Sequence, residues 1–198
     1  MSKKILSRMK NVSVVLLLFI VISIGNAKIS MPSWFGSNMV LQSNAEYGAR
    51  SFLNGKSSPS EKILVSVKST SKNTTYEIQA NEEGVWKLQI LVSTSDASTI
   101  SITVTGEDPH DSVVAENVTA GDVFFCSGQS NMVFPMKLTL NATSEMATLR
   151  NYPHFRFFMT NRGTSDVPEF DVPDFNATTC DTKVPSACNR WVTAKEAM

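Results

Sequence analysis

Histidine and cysteine are scarce in this chain, with two of the first and three of the second in 198 residues. No Cys-x-x-Cys or His-x-x-x-His spacing occurs among them, so the sequence presents no zinc site and no cofactor is expected. An excess of positive charge is lacking too: 18 Lys and Arg balance 18 Asp and Glu. Without a basic stripe, nucleic acid and anionic membrane surfaces are excluded as expected partners. Long hydrophobic runs are also missing. The apolar stretch at 12–24 falls short of the roughly 20 residues a spanning helix needs.

That stretch fits a secretory signal instead. Lys3, Lys4, Arg8 and Lys10 precede it, and Gly25-Asn26-Ala27 supplies small residues for cleavage after Ala27. Residues 1–27 are therefore expected to be removed, leaving no stable membrane insertion. The loss of four basic residues takes the net charge from zero to −4. Four Asn-x-Thr sequons follow, at Asn73, Asn117, Asn141 and Asn176. Behind a signal they predict a glycosylated product that is secreted or lysosomal. The cysteines fit an oxidising compartment without defining a disulfide scaffold. Cys180 and Cys188 flank a polar loop and can close a small ring, whereas Cys126 is expected to be a buried free thiol.

Residues 28–118 read as a β-sandwich-like domain. Ile63-Val65-Val67, Tyr76-Ile78-Ala80, Trp86-Leu88-Ile90 and Ile100-Ile102-Val104 alternate with polar residues, the period of strands with one buried face. Turn-rich stretches at 54–59 and 81–84 separate them. Trp34 and Trp86 read as core aromatics in preference to a sugar-stacking platform.

The pattern changes near Ala120, and residues 119–198 read as the first, incomplete part of an α/β domain. Residues 123–126 form an apolar run that does not alternate, the mark of a strand covered on both faces. A helix is expected within 135–149, with Met136, Leu140, Met146 and Leu149 facing the core and Asn141 facing outward. A second strand is expected at 155–159, so strand, helix and strand open a parallel sheet. The acidic residues at 166–181 read as a solvated connection, lacking the regular alternation and the glycine of a calcium loop.

The chemistry centres on Cys126-Ser127-Gly128-Gln129-Ser130-Asn131-Met132. A buried strand running into a glycine-containing turn is how hydrolases raise a serine hydroxyl above a sheet edge. The Gly-x-Ser core departs from the α/β-hydrolase elbow, since Met132 stands where that pattern has its second glycine.

The longer run, residues 121–132, closely resembles the first block of the sialate O-acetylesterase family, secreted or lysosomal members of the SGNH hydrolase group. Phe35-Gly36-Ser37-Asn38-Met39-Val40-Leu41-Gln42 resembles the family's opening signature, and Gly84-Val85-Trp86 its hairpin. Asn151-Tyr152-Pro153-His154-Phe155-Arg156-Phe157-Phe158 resembles its second catalytic strand, and Trp191 a tryptophan that follows. The resemblance implies an SGNH-hydrolase domain whose substrate is an O-acetylated sialic acid or sialoglycan. It implies that Ser130 attacks the acetyl carbonyl and that its backbone N–H donates to the oxyanion. Gln129 stands where many such enzymes carry Asp and is expected to stabilise the turn. Asn131 is expected to cap the following helix.

The family's later oxyanion donors and its Asp-x-x-His pair have no match here. His154 follows Asn151 where the pair would need Asp, and reads as a strand-edge residue. His110 reads as a surface residue in an acidic turn. The chain is thus expected to be a truncated form with little activity of its own, because serine needs an adjacent base. The alternative is a non-catalytic secreted glycoprotein whose β-domain binds carbohydrate or a partner protein.

Overall fold

Residues 28–43, 50–92, 99–160, 165–171 and 190–196 are described by the computed structural model of the chain, and the signal, Asn176, Cys180 and Cys188 lie outside them. Each of the four alternating stretches forms a strand, and three further strands join them. They are β1 (Val40–Gln42), β2 (Ser51–Lys56), β3 (Lys62–Lys68), β4 (Asn73–Gln79), β5 (Val85–Ile90), β6 (Ile100–Thr105) and β7 (Ser112–Gly121). Five of them make one sheet in the order β1-β7-β6-β3-β4, antiparallel except for the parallel β1–β7 pair. The other two, β2 and β5, pair antiparallel as a second sheet.

Both sheets contribute to a single core. Ile63 and Val65 from β3, Ile102 and Val104 from β6 and Val118 from β7 are fully buried, as are Leu53 from β2 and Ile90 from β5. Each such side chain contributes about 1.5–3 kcal/mol of transfer free energy. Trp86 belongs to this core and lies across the register from Gly55. A β-carbon at residue 55 would come within 2.4 Å of the indole, so glycine lets the ring lie against the strand. Gly55 therefore belongs to β2, although residues 54–59 read as a turn in the sequence. The expected turn at 81–84 is present, with the Asn81 carboxamide oxygen accepting from the backbone N–H groups of Glu83 and Val85.

The ten-residue strand β7 was not legible as an alternating run because a bulge interrupts it. Ile102 pairs with Ala115 and Ile100 with Val118, so two steps on β6 face three on β7. Asn117 takes up the extra residue with φ +54°. Ala115 and Val118 thereby both face the core, three positions apart.

Beyond Gly121 the structure departs from the sequence-based expectation. Residues 123–126 are not a buried strand: Phe124 and Phe125 are 82% and 90% exposed, and Cys126 is an exposed thiol. A strand covered on both faces needs neighbours on both, and the described residues place none there. The expected helix at 135–149 is reduced to a short α-helix, α1 (Ala142–Thr148), flanked by 3-10 turns at Met136–Leu138 and Leu149–Asn151. Met136 and Leu140 are exposed, while Met146 and Leu149 are half-buried. Asn141 precedes α1 in a left-handed conformation.

The strand at 155–159 forms as β8 (Arg156–Phe158). Its partner is β9 (Trp191–Thr193), and the pair is antiparallel, so among the described residues no parallel crossover forms. This pair is tied to the β-domain through Trp191, whose indole N–H donates to the Trp34 carbonyl at 2.7 Å. Asp171 makes a second tie, accepting from both the Ser33 backbone N–H and the Ser33 hydroxyl at 2.7 Å. The acidic stretch is therefore more than a solvated connection at this point.

Glu196 closes the turn after β9 by accepting from the Thr193 backbone N–H at 2.7 Å. That bond holds the Glu196 carboxyl below its ordinary pKa. Burial lowers the pKa of nearby Arg156, against the opposing pull of the Glu196 charge.

Two outcomes are expected. Ile102→Ala should lower unfolding stability by about 2–5 kcal/mol, whereas Leu140→Ala should change it by less than about 0.5 kcal/mol; urea unfolding of the two variants checks this. A carboxyl whose pKa is lower when folded adds stability above its unfolded pKa and loses it as pH falls through the folded value. Acid should therefore loosen the β8–β9 pair below the ordinary carboxylate range, followed by Trp191 fluorescence, and Glu196→Gln should flatten that response.

Candidate active site

The serine turn hangs from the end of β7. Gln42 and Gly121 face each other in the parallel β1–β7 ladder, and the Ser43 N–H donates to the Gly121 carbonyl at 2.9 Å. The Gln42 side chain extends this hold by one step, its carboxamide oxygen accepting from the Val123 N–H at 2.7 Å. From there to Gln129 the chain is irregular and exposed.

At Ser130 it tightens into a 3-10 turn spanning Ser130–Val133. The Met132 N–H donates to the Gln129 carbonyl at 2.9 Å, and the Phe134 N–H to the Asn131 carbonyl at 3.1 Å. Gly128 sits beneath Met132: a β-carbon there would meet Met132 Cγ at 2.6 Å. A larger residue would make the methionine side chain shift.

The sequence-predicted roles around the serine are redistributed. Gln129 stabilises the turn through its backbone carbonyl, and its side chain makes no capping bond. Asn131 lies inside the turn and is not a cap; the residue preceding the turn is Gln129, with extended backbone. Ser130 is exposed, as are Gly128, Gln129 and Asn131.

No hydrogen bond among the described residues joins Ser130 to either histidine. His110 is exposed in its acidic turn, its backbone N–H donating to the Asp108 carboxylate at 2.9 Å, and His154 is exposed just before β8. The arrangement therefore presents an exposed serine on a formed turn, with neither histidine hydrogen-bonded to it. A shallow dent of about 30 Å³, room for one water, lies elsewhere, between Val67, Tyr76 and Ile100 of the β-domain.

Among the described residues no three His, Cys, Asp or Glu side chains group closely enough to hold a metal ion. None of their helices is long and apolar enough to cross a membrane. Long-range contacts escaped sequence reasoning, among them the Asp171–Ser33 clasp, which spans 138 residues, and the Asn38–Asn117 side-chain bond, which spans 79. No local motif announces pairs so far apart.

No protein-family model matches the chain, and no curated protein matches it. Its fold is similar to that of a carbohydrate acetylesterase from Xanthomonas citri, with a TM-score of 0.63 and 22% sequence identity. The similarity covers 85% of this chain and 33% of the Xanthomonas chain, so this chain spans about a third of that protein's length. The likeness is one of fold.

Proposed function

We propose that this chain is the nucleophile-bearing part of a carbohydrate acetylesterase of the SGNH type that removes O-acetyl groups from sialic acids. The observation that carries the reading is the exposed Ser130 on a closed 3-10 turn, directly after the strand end that β1 and Gln42 hold. The fold likeness to a carbohydrate acetylesterase supports the reaction class. The choice of sialic acid rests on the run at 121–132.

In this reading the Ser130 hydroxyl oxygen attacks the acetyl carbonyl and the sugar oxygen leaves with a proton. Water then attacks the acyl-serine and releases acetate. The Ser130 N–H, at the first position of the turn, donates to the oxyanion as charge develops. The proton must pass to a base, a role worth about 10²–10⁴ in rate. Neither histidine is hydrogen-bonded to Ser130, so a soluble base should speed turnover. The chain reaches its substrate by the secretory route, and residues 28–118 act as the β-domain on which the serine-bearing part is mounted.

The test is acetate release from an O-acetylated sialic acid by the purified chain, with and without imidazole as a soluble base. Release should be low without imidazole, rise with it, and be lost in Ser130→Ala under both conditions. Equal stimulation of the alanine variant would remove Ser130 from the reaction. Full turnover without imidazole would show that a base is already in place.

A further inference from the structure

The sequons are alike in sequence and unlike in the folded chain. Asn73 is exposed and begins β4, the strand at the end of the five-stranded sheet. Asn141 is exposed in the left-handed turn before α1, and its side chain makes no capping bond. Asn117 differs at all three sequon positions. Its own carboxamide nitrogen donates to the Asn38 carboxamide oxygen at 2.6 Å, in a partly buried contact between β7 and the loop before β1. Val118, the middle residue, is fully buried in the core. Thr119 is paired with Val40 of β1, and its N–H donates to the Met39 carbonyl at 3.0 Å.

We infer that Asn73 and Asn141 carry N-linked glycans and that Asn117 does not, its sequon being a by-product of what the β7 bulge requires. The inference rests on the secretory route taken above. In the transfer, the anomeric carbon of a lipid-pyrophosphate-linked oligosaccharide bonds to the asparagine Nδ2. The amide gives up one proton, and the bond from the anomeric carbon to the pyrophosphate oxygen breaks, releasing the lipid pyrophosphate. Such a transfer needs the amide free and the following two residues accessible to the transferase.

Asn73 and Asn141 meet the first condition, and both sequons end in an exposed threonine, Thr75 and Thr143. Asn117 meets neither once the bulge has formed. Its identity has a structural reason instead: φ is +54°, a region where asparagine is among the few side chains tolerated, and its partner Asn38 has φ +67°. Two left-handed asparagines share one hydrogen bond across the bulge. A glycan on Asn73 also has a use, because it covers the start of a strand whose outer edge is open to pairing with another chain.

The test is site occupancy by glycopeptide mass spectrometry on the chain secreted from a eukaryotic host, with its N-terminus sequenced in the same preparation. Asn73 and Asn141 are expected to be mainly occupied and Asn117 mainly bare. Asn38→Gly keeps the left-handed backbone and frees the Asn117 amide but leaves Val118 buried and Thr119 paired, so Asn117 should stay mainly bare with Asn141 unchanged. Occupancy of Asn117 equal to that of Asn141 in the unaltered chain would overturn the inference. Bare Asn73 and Asn141 on a chain beginning at Lys28 would overturn it and leave the secretory route standing. The same result on a chain that keeps residues 1–27 would remove both.

Discussion

The bulge at Asn117 is the constraint on which the rest of the structure depends. Before it, β7 pairs with β6; after it, the strand runs parallel to β1 while Val118 still faces Ile100. One extra residue lets a ten-residue strand serve two neighbours and keep both Ala115 and Val118 in the core. The cost of a left-handed residue is offset locally by the Asn38–Asn117 bond. The direction in which β7 leaves the sheet, and hence where the serine turn begins, follows from this one irregularity.

Burial is distributed unevenly along the chain. The β-domain closes around a single core, with even the Glu61 carboxylate buried and accepting from the backbone N–H groups of Ser58 and Glu107. From Val123 to Met159 many large apolar side chains face solvent, among them Phe124, Phe125, Leu138 and Leu140. Apolar residues in that number belong against other apolar surface. The described residues provide it only around β8 and β9, where Val192 and Ala194 are buried and Phe158 packs on Trp191.

The later part is nevertheless fastened to the earlier one by specific polar contacts. The Trp191 indole and the Asp171 carboxylate both reach back to the segment Ser33-Trp34, which the β-domain core anchors through Phe35. Hydrogen bonds to an ionised acceptor are stronger than neutral ones, so the doubly accepting Asp171 is the firmer of the two ties. The serine turn is attached at the other end, through β7 and Gln42, and so is held by a different part of the same domain.

Much of the β-domain was legible in the sequence, because β3, β4, β5 and β6 each alternate and alternation follows directly from the geometry of a half-buried strand. β2 was hidden by Gly55, a residue that reads as a turn until the indole of Trp86 is laid against it. β7 was hidden by the bulge. At the candidate site, Ser130 and its glycine were legible as a motif, since a tight turn leaves a local signature. The helix at 135–149 and the strand at 123–126 were expected from apolar content alone. Apolar content states what a segment can bury, and only neighbours decide whether it does.

The sequence by itself determined the strand periods, the position of the serine and the scarcity of histidine, all properties of residues close together along the chain. Tertiary structure decided which strands are neighbours, that Asn117 is locked while Asn73 and Asn141 are free, and that residues 123–126 lie open to solvent. The physical reason is that burial and long-range hydrogen bonds are relations between distant segments, and no stretch of sequence carries its partner within it.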